Sequence, residues 1–237
     1  MLTILSNLNN FIICIILNIL ILFKSELHAI TEVKFKNEQY IKANFAICNK
    51  IINFALRKII YMKIFAFAGS NSTSSINKKL VTSVLKSFPD FEQNLIDLND
   101  YEMPIFSVDR EKFGFPKEAY QFLENINNCD IIICSLSENN RNFSVAFKNI
   151  FDWCSRINPK VFQDRKMFLM TTSPGGYGGG NSMNLAKNIF PAFGGNIVES
   201  FSLPKFYENF DESKGITNDA LRLELNQKIL EFKQSLK

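Results

Sequence analysis

Three stretches of this 237-residue chain gather hydrogen-bonding groups densely enough to do chemistry. The first is GSNSTSSIN, Gly69–Asn77, where five of the seven residues from Ser70 to Ile76 are serine or threonine. It separates a greasy run from a segment with helical spacing. Hydroxyls and backbone N–H groups at a helix start suit a phosphate, because the unpaired donors and the helix dipole both favour an anion. The stretch is neither a Walker loop nor GxGxxG. A plainer reading stands beside this one, in which Ser74 or Ser75 only caps the helix. The second stretch is SLSENNRNFS, Ser135–Ser144, either a ligand-lining loop or a solvated turn. The third is TTSPGGYGGGNS, Thr171–Ser182, with Gly175, Gly176, Gly178, Gly179 and Gly180 broken only by Tyr177. Such glycines let a backbone come close to a flat ligand, and they also suit a flexible surface loop.

Other chemistry lacks its residues. The single histidine, His28, lies far upstream of all three stretches, so a histidine base or a His-rich metal site is not expected in the main domain. The cysteines Cys14, Cys48, Cys129, Cys134 and Cys154 are odd in number and form no CxxC, against a zinc site or a disulfide framework. The net charge of +4 resides wholly in residues 1–61, with seven Lys/Arg and three Glu. From Met62 onward basic and acidic residues balance, which gives nucleic-acid binding no electrostatic support.

The elements that must hold the three stretches can be read from apolar periodicity. Short apolar runs predict strands at Lys63–Gly69, Asn94–Leu98, Cys129–Ser137, Lys166–Ser173 and Asn196–Pro204. Helical spacing predicts helices at Ile76–Phe88, Pro116–Asn128, Phe143–Ile157, Asn181–Phe193 and Asn218–Leu236. Pro116 starts one of them and Gly194–Gly195 stops another. The alternation implies an α/β fold with a parallel sheet between helical layers. Ligands of such sheets bind beyond the carboxyl ends of the strands. The three stretches follow the first, third and fourth strands, so they should share one ligand.

Residues 1–61 read differently. Phe11–Phe23 is a nearly pure apolar run of 13 residues, short of the roughly 20 that span a bilayer. Leu27–Ala29 resembles a cleavage site, but no Lys or Arg precedes the run. Met62 stands directly before the first strand. The extension is therefore read as an over-long start, a signal or anchor segment, or an interaction segment, with residues 62–237 as the functional domain.

The three stretches together resemble the NAD(P)H-dependent FMN reductase family. GSNSTSSIN is similar to its G-S-x-R-x-x-S-x-N phosphate loop. SENNRNFSVAFKNIFDW is similar to its P-E-Y-N segment and following L-K-N-x-x-D-W helix, with Glu138, Asn140, Lys148, Asn149, Asp152 and Trp153 matching. SPGGYGGG is similar to its third flavin loop. The resemblance covers Met62–Lys237. It implies a flavodoxin-like three-layer α/β/α sandwich, with a five-stranded parallel sheet in the order 2-1-3-4-5, and bound FMN. By the same resemblance Ser70, Ser75 and Asn77 hold the phosphate. Ser137, Glu138, Asn139 and Asn140 line the ring and ribityl chain, and Ser173, Gly175, Gly176 and Tyr177 flank the ring's other side. The chain departs from the pattern at Ser72, where the family has arginine, and at Ser137 and Asn139, where it has proline and tyrosine. Lys78 is the nearest cation to replace that arginine.

What the resemblance implies for function is hydride transfer from NADPH or NADH to FMN, and onward to a small-molecule acceptor such as a quinone, azo compound, metal oxyanion or free flavin. The flavin carries the chemistry, so no catalytic side chain and no metal is expected. Glu138 is read as orienting its loop rather than donating a proton. Two other classes stay open: a flavodoxin-type electron carrier, and an interaction module without flavin. The resemblance also implies a homodimer or homotetramer, with Phe143, Phe147 and Trp153 as interface or core aromatics, a cytoplasmic setting, and no membrane contact for residues 62–237.

Overall fold

A computed structural model describes residues 62–236. The apolar run Phe11–Phe23 and the three readings of residues 1–61 lie outside the described residues. Five parallel strands form one sheet: β1 (Lys63–Gly69), β2 (Glu92–Ile96), β3 (Ile131–Leu136), β6 (Lys166–Thr172) and β7 (Asn196–Leu203). Their order is β2-β1-β3-β6-β7, the expected 2-1-3-4-5 arrangement. Two small hairpins complete the strand set, β4 (Glu138–Asn139) with β5 (Asn142–Phe143), and β8 (Phe210–Asp211) with β9 (Gly215–Ile216).

Among the described residues, seven α-helices connect and cover the strands. They are α1 (Ile76–Leu85), α2 (Val108–Glu111), α3 (Lys117–Asn127), α4 (Val145–Ile157), α5 (Gly180–Ile189), α6 (Phe206–Asn209) and α7 (Asp219–Ser235). Successive side chains of a strand point to opposite faces, so one apolar run feeds two cores. In β1, Phe65 and Phe67 face α3 and α4, whereas Ile64 and Ala66 face α1 and α7. The first core is rich in phenylalanine. The Phe67 and Phe147 rings stack at 5.6 Å, and Phe147 continues to Phe151 and Phe190.

Two boundaries near the site differ from the sequence reading. The second strand begins at Glu92 rather than Asn94, because the exposed edge of the sheet accepts the polar Glu92, Gln93 and Asn94 that mask its period. The third long helix, α4, starts at Val145, capped by Ser144, and Phe143 belongs to the hairpin. Phe143, Phe147 and Trp153 are all buried in the first core, so they do not supply a subunit interface. No helix among the described residues is long and apolar enough to cross a membrane.

Cys129, Cys134 and Cys154 are unpaired and buried. Burial penalises the thiolate, pushing Cys129 up to about 11, Cys154 up to about 12 and Cys134 upward as well. Only thiolates are strong nucleophiles. Iodoacetamide should therefore leave these three unmodified in the native protein at about pH 8 and label them after unfolding. Peptide mass mapping reads the result, and alkylation of any of these three in the native chain would contradict this packing.

Candidate functional site

The three hydrogen-bonding stretches leave the sheet from adjacent strands. Gly69 is in register with Leu136, and Leu136 with Thr171, so β1, β3 and β6 end side by side. A side chain at Gly69 would collide with this arrangement, since a Cβ there would lie 2.8 Å from Leu136 Cδ2. The crossovers diverge between β1 and β3, the switch point where open α/β sheets bind ligands.

Much of the polar content of these stretches ties them to one another. Asn77 is only 3% exposed. Its Oδ1 accepts from Ser135 Oγ at 2.7 Å and from the Thr172 amide at 3.2 Å, and its Nδ2 donates to Thr172 O at 3.4 Å. Gly69 O accepts from the hydroxyls of Ser137 and Ser144, the latter at 2.8 Å. Ser75 caps α1, its hydroxyl accepting from the Lys78 amide at 3.2 Å. The Asn77 and Ser137 side chains are thus committed to the protein, and any contact they make with an anion falls to their backbone.

The start of α1 keeps donors in reserve. No acceptor is found among the described residues for the amides of Ile76 and Asn77, and the first turn carries no acid. Ser70, Ser72 and Ser74 stand before it, half-buried or exposed. Ser70 Oγ accepts from the Ser72 amide at 3.2 Å, and the Ser72 and Ser74 hydroxyls lie 3.3 Å apart. The Ser75 cap therefore leaves two first-turn amides open, so capping does not exclude an anion here. Lys78 does not replace the missing arginine. Its ammonium is paired with Asp97, whose carboxyl it holds below the usual carboxylate range, helped by the Asn99 amide.

The second stretch is a tight hairpin rather than an irregular loop. Asn140 and Arg141 occupy its turn with φ of 51° and 65°, the pair of positive values that a two-residue type I′ hairpin demands. Asn139 and Asn140 are exposed on it. Glu138 turns away from solvent toward α5, where its carboxylate accepts from the Asn181 amide at 2.8 Å, Asn181 Nδ2 at 2.9 Å and the Ser182 amide at 3.2 Å. These bonds are what the orienting reading of Glu138 expects. Ser135, Ser144, Asn181 and Ser182, all part of this scaffold, were not singled out by the sequence. Only Ser144 carried a local signal, as a serine one residue ahead of an apolar helical run.

The third stretch divides into two halves. A Cβ at Gly178 would lie 2.5 Å from Ser202 Oγ, and one at Gly180 would lie 2.6 Å from the Tyr177 ring. At Gly179, with φ +80°, it would lie 2.9 Å from Thr171 Cβ. These glycines are required by the protein's own packing. A Cβ at Gly176 would meet nothing within 4 Å, and one at Gly175 would meet only Ser173 Oγ at 3.9 Å. Ser173 and Gly175 are fixed through their carbonyls, which accept from the amides of Phe206 at 3.1 Å and Lys205 at 2.9 Å. Tyr177 is 61% exposed, with its ring over Gly180 and its hydroxyl 3.3 Å from Asn184 Nδ2. A separate cleft of about 600 Å³, between Lys78, Asp97, Tyr101 and Asn125, lies beside β2 and not at the three stretches.

The family model for NADPH-dependent FMN reductases matches residues 62–208. The chain belongs to this family. An uncharacterised protein of Mycoplasma pneumoniae is 23% identical over 154 residues, covering 63% of this chain and 91% of that one. Among solved structures, the flavoenzyme FerB of Paracoccus denitrificans, an NAD(P)H:acceptor oxidoreductase, superposes with a TM-score of 0.57 at 20% identity. It covers 73% of this chain and 98% of its own. An FMN-dependent NADH-azoreductase of Bacillus anthracis, solved with FMN, gives a TM-score of 0.53 at 14% identity over 75% of this chain and 100% of its own. At these identities the superpositions establish the fold.

The residues present fit the family's cofactor. FMN presents a monophosphate and a flat ring. The site offers open amides at α1 for the first, and a glycine segment at Gly175–Gly176 with space beside it for the second. The glycine loop itself supplies a test. Gly179→Ala should destabilise the protein by about 1–3 kcal/mol, through strain and overlap with Thr171. Gly176→Ala should shift stability by less than about 0.5 kcal/mol while weakening FMN binding. Thermal melts and flavin titrations of the two variants check both halves.

Proposed function

We propose that residues 62–237 form an FMN-dependent NAD(P)H oxidoreductase domain acting on a small-molecule acceptor such as a quinone, azo compound, metal oxyanion or free flavin. The observation that carries this reading is the convergence of three ligand-ready stretches on adjacent strand ends, with the helix start at α1 left open to an anion.

In this reading the amides of Ile76 and Asn77 receive the phosphate, with hydroxyls of Ser70, Ser72 and Ser74 around it. The hairpin through Asn139 and Asn140 forms one wall of the ring site. Ser173, Gly175, Gly176 and Tyr177 form the other, and a backbone free of side chains there permits close contact with a planar group. FMN, when bound, supplies the hydride-accepting and electron-passing chemistry. The chain's own part is to hold, orient and exclude water. Glu138 is spent on three N–H donors, and residues 62–237 contain no histidine, so no side-chain acid or base is invoked.

The reading includes a homodimer or homotetramer. Exposed Ile105, Val108 and Phe113, the last 92% exposed, give such an assembly an apolar surface. It also includes a cytoplasmic setting, supported by three unpaired thiols.

The full-length protein, titrated with FMN and then with NADPH or NADH under anaerobic conditions, should bind the flavin and bleach its visible absorbance. Binding without bleaching would instead identify a one-electron carrier, and failure to bind would remove both flavin readings. Ser72→Arg should tighten FMN binding about tenfold, the scale of one added charge-assisted phosphate contact. Flavin fluorescence quenching measures it, and an unchanged affinity would show that the missing arginine costs nothing.

A further inference from the structure

We infer that Glu138 is a positioning residue that welds the β4–β5 hairpin to the start of α5, so that both walls of the flavin site move as one body. The inference rests on the FMN reading above for its consequence, and on the protein's own bonds for its geometry.

The hairpin cannot hold itself. Each of its strands is two residues long, and its turn places two non-glycine residues at positive φ. It needs anchors, and α5 supplies them on both strands. Glu138, on β4, accepts from Asn181 N, Asn181 Nδ2 and Ser182 N. Ser182 Oγ, fully buried, lies 3.1 Å from Ser137 O and 3.0 Å from Asn142 O, reaching the residue before β4 and the first residue of β5.

The helix needs the hairpin in return. Gly179 at the N-cap of α5 has no side chain to accept from the first-turn amides. The Glu138 carboxylate does that work from another segment, where the helix dipole favours a negative charge. Two helix starts therefore face this edge of the sheet after loops rich in small residues, and they are treated oppositely. The α5 start is filled by a resident carboxylate, whereas α1 has no acid in its first turn. The carboxylate thereby also reserves the cofactor's phosphate for α1.

A ligand that needs both walls in place binds in proportion to the fraction of molecules that have them so. Losing the carboxylate removes several charge-assisted hydrogen bonds. That should weaken FMN at least about tenfold in Glu138→Ala. Glu138→Gln should stay within about threefold of wild type. Its Oε1 can accept from the two backbone amides while its Nε2 donates to Asn181 Oδ1, once the Asn181 amide turns over. Asn181→Ala, which removes one bond and leaves the helix start capped, should fall between them.

The experiment uses full-length wild type and the three variants. FMN affinity is read by fluorescence quenching, the apo-protein midpoint by thermal melting, and local opening by amide hydrogen exchange of the apo chain. The expected result is the affinity order wild type, Gln, Asn181→Ala, Glu138→Ala, with exchange in Glu138→Ala rising together in residues 138–143 and 176–183. Should Glu138→Ala not fold, Asn181→Ala carries the same comparison. An unchanged FMN affinity with a lowered midpoint, a Gln variant as weak as Ala, or faster exchange in one segment alone would overturn the inference. A wild-type protein that does not bind FMN would overturn the functional reading instead, and the exchange data would still decide whether the weld exists.

Discussion

A buried side-chain amide at the point where three parallel strands end sets the terms for everything around it. Asn77 is cut off from water, so its oxygen and nitrogen must find partners within the protein or carry the cost of being stranded. Ser135 and the backbone of Thr172 meet that need only when β1, β3 and β6 stop at one level. The start of α1, the hairpin and the glycine loop all hang from those three ends. The double acceptance at Gly69 O by Ser137 and Ser144 fastens the hairpin to the same point. The polar edge is thus a hydrogen-bonded frame, and the groups it leaves over are the ones open to a ligand.

That division separates what the sequence told from what it did not. Ile131–Leu136 and Lys166–Thr172 were legible because strands buried on both faces must be apolar throughout. The 2-1-3-4-5 order and the phosphate-loop assignment came from resemblance, and the sheet has that order. The hairpin escaped notice because its strands are two residues long and its turn is Asn-Arg, without the glycine that usually marks such turns. The duties of Asn77 could not be read locally. Its partners are 58 and 95 residues away, and only strand register brings them to it. Nor could the five glycines be sorted by eye, since identical letters answer to Ser202, Thr171 and Tyr177 at three positions and to open space at Gly176.

The first stretch shows how one short segment serves two ends. Ser75 satisfies the amide of Lys78, and the donors of Ile76 and Asn77 stay open, the groups that the proposed reading gives to an anion. The nearest cation is drawn aside by Asp97. In the proposed reading the anion end of the site is consequently built from neutral dipoles and hydroxyls. Such a site holds a phosphate by geometry more than by charge, and salt screens it less than it would an ion pair.

The buried thiols acquire a meaning from the chemistry of the family. Reduced flavins exposed to air hand electrons to oxygen, and peroxide attacks thiolates that are accessible and ionised. Cys129, Cys134 and Cys154 are neither. All three sit in the first core, where the packing that buries the strands also insulates the sulfur atoms. The same hydrocarbon that holds this fold together shields its sulfur from oxidation.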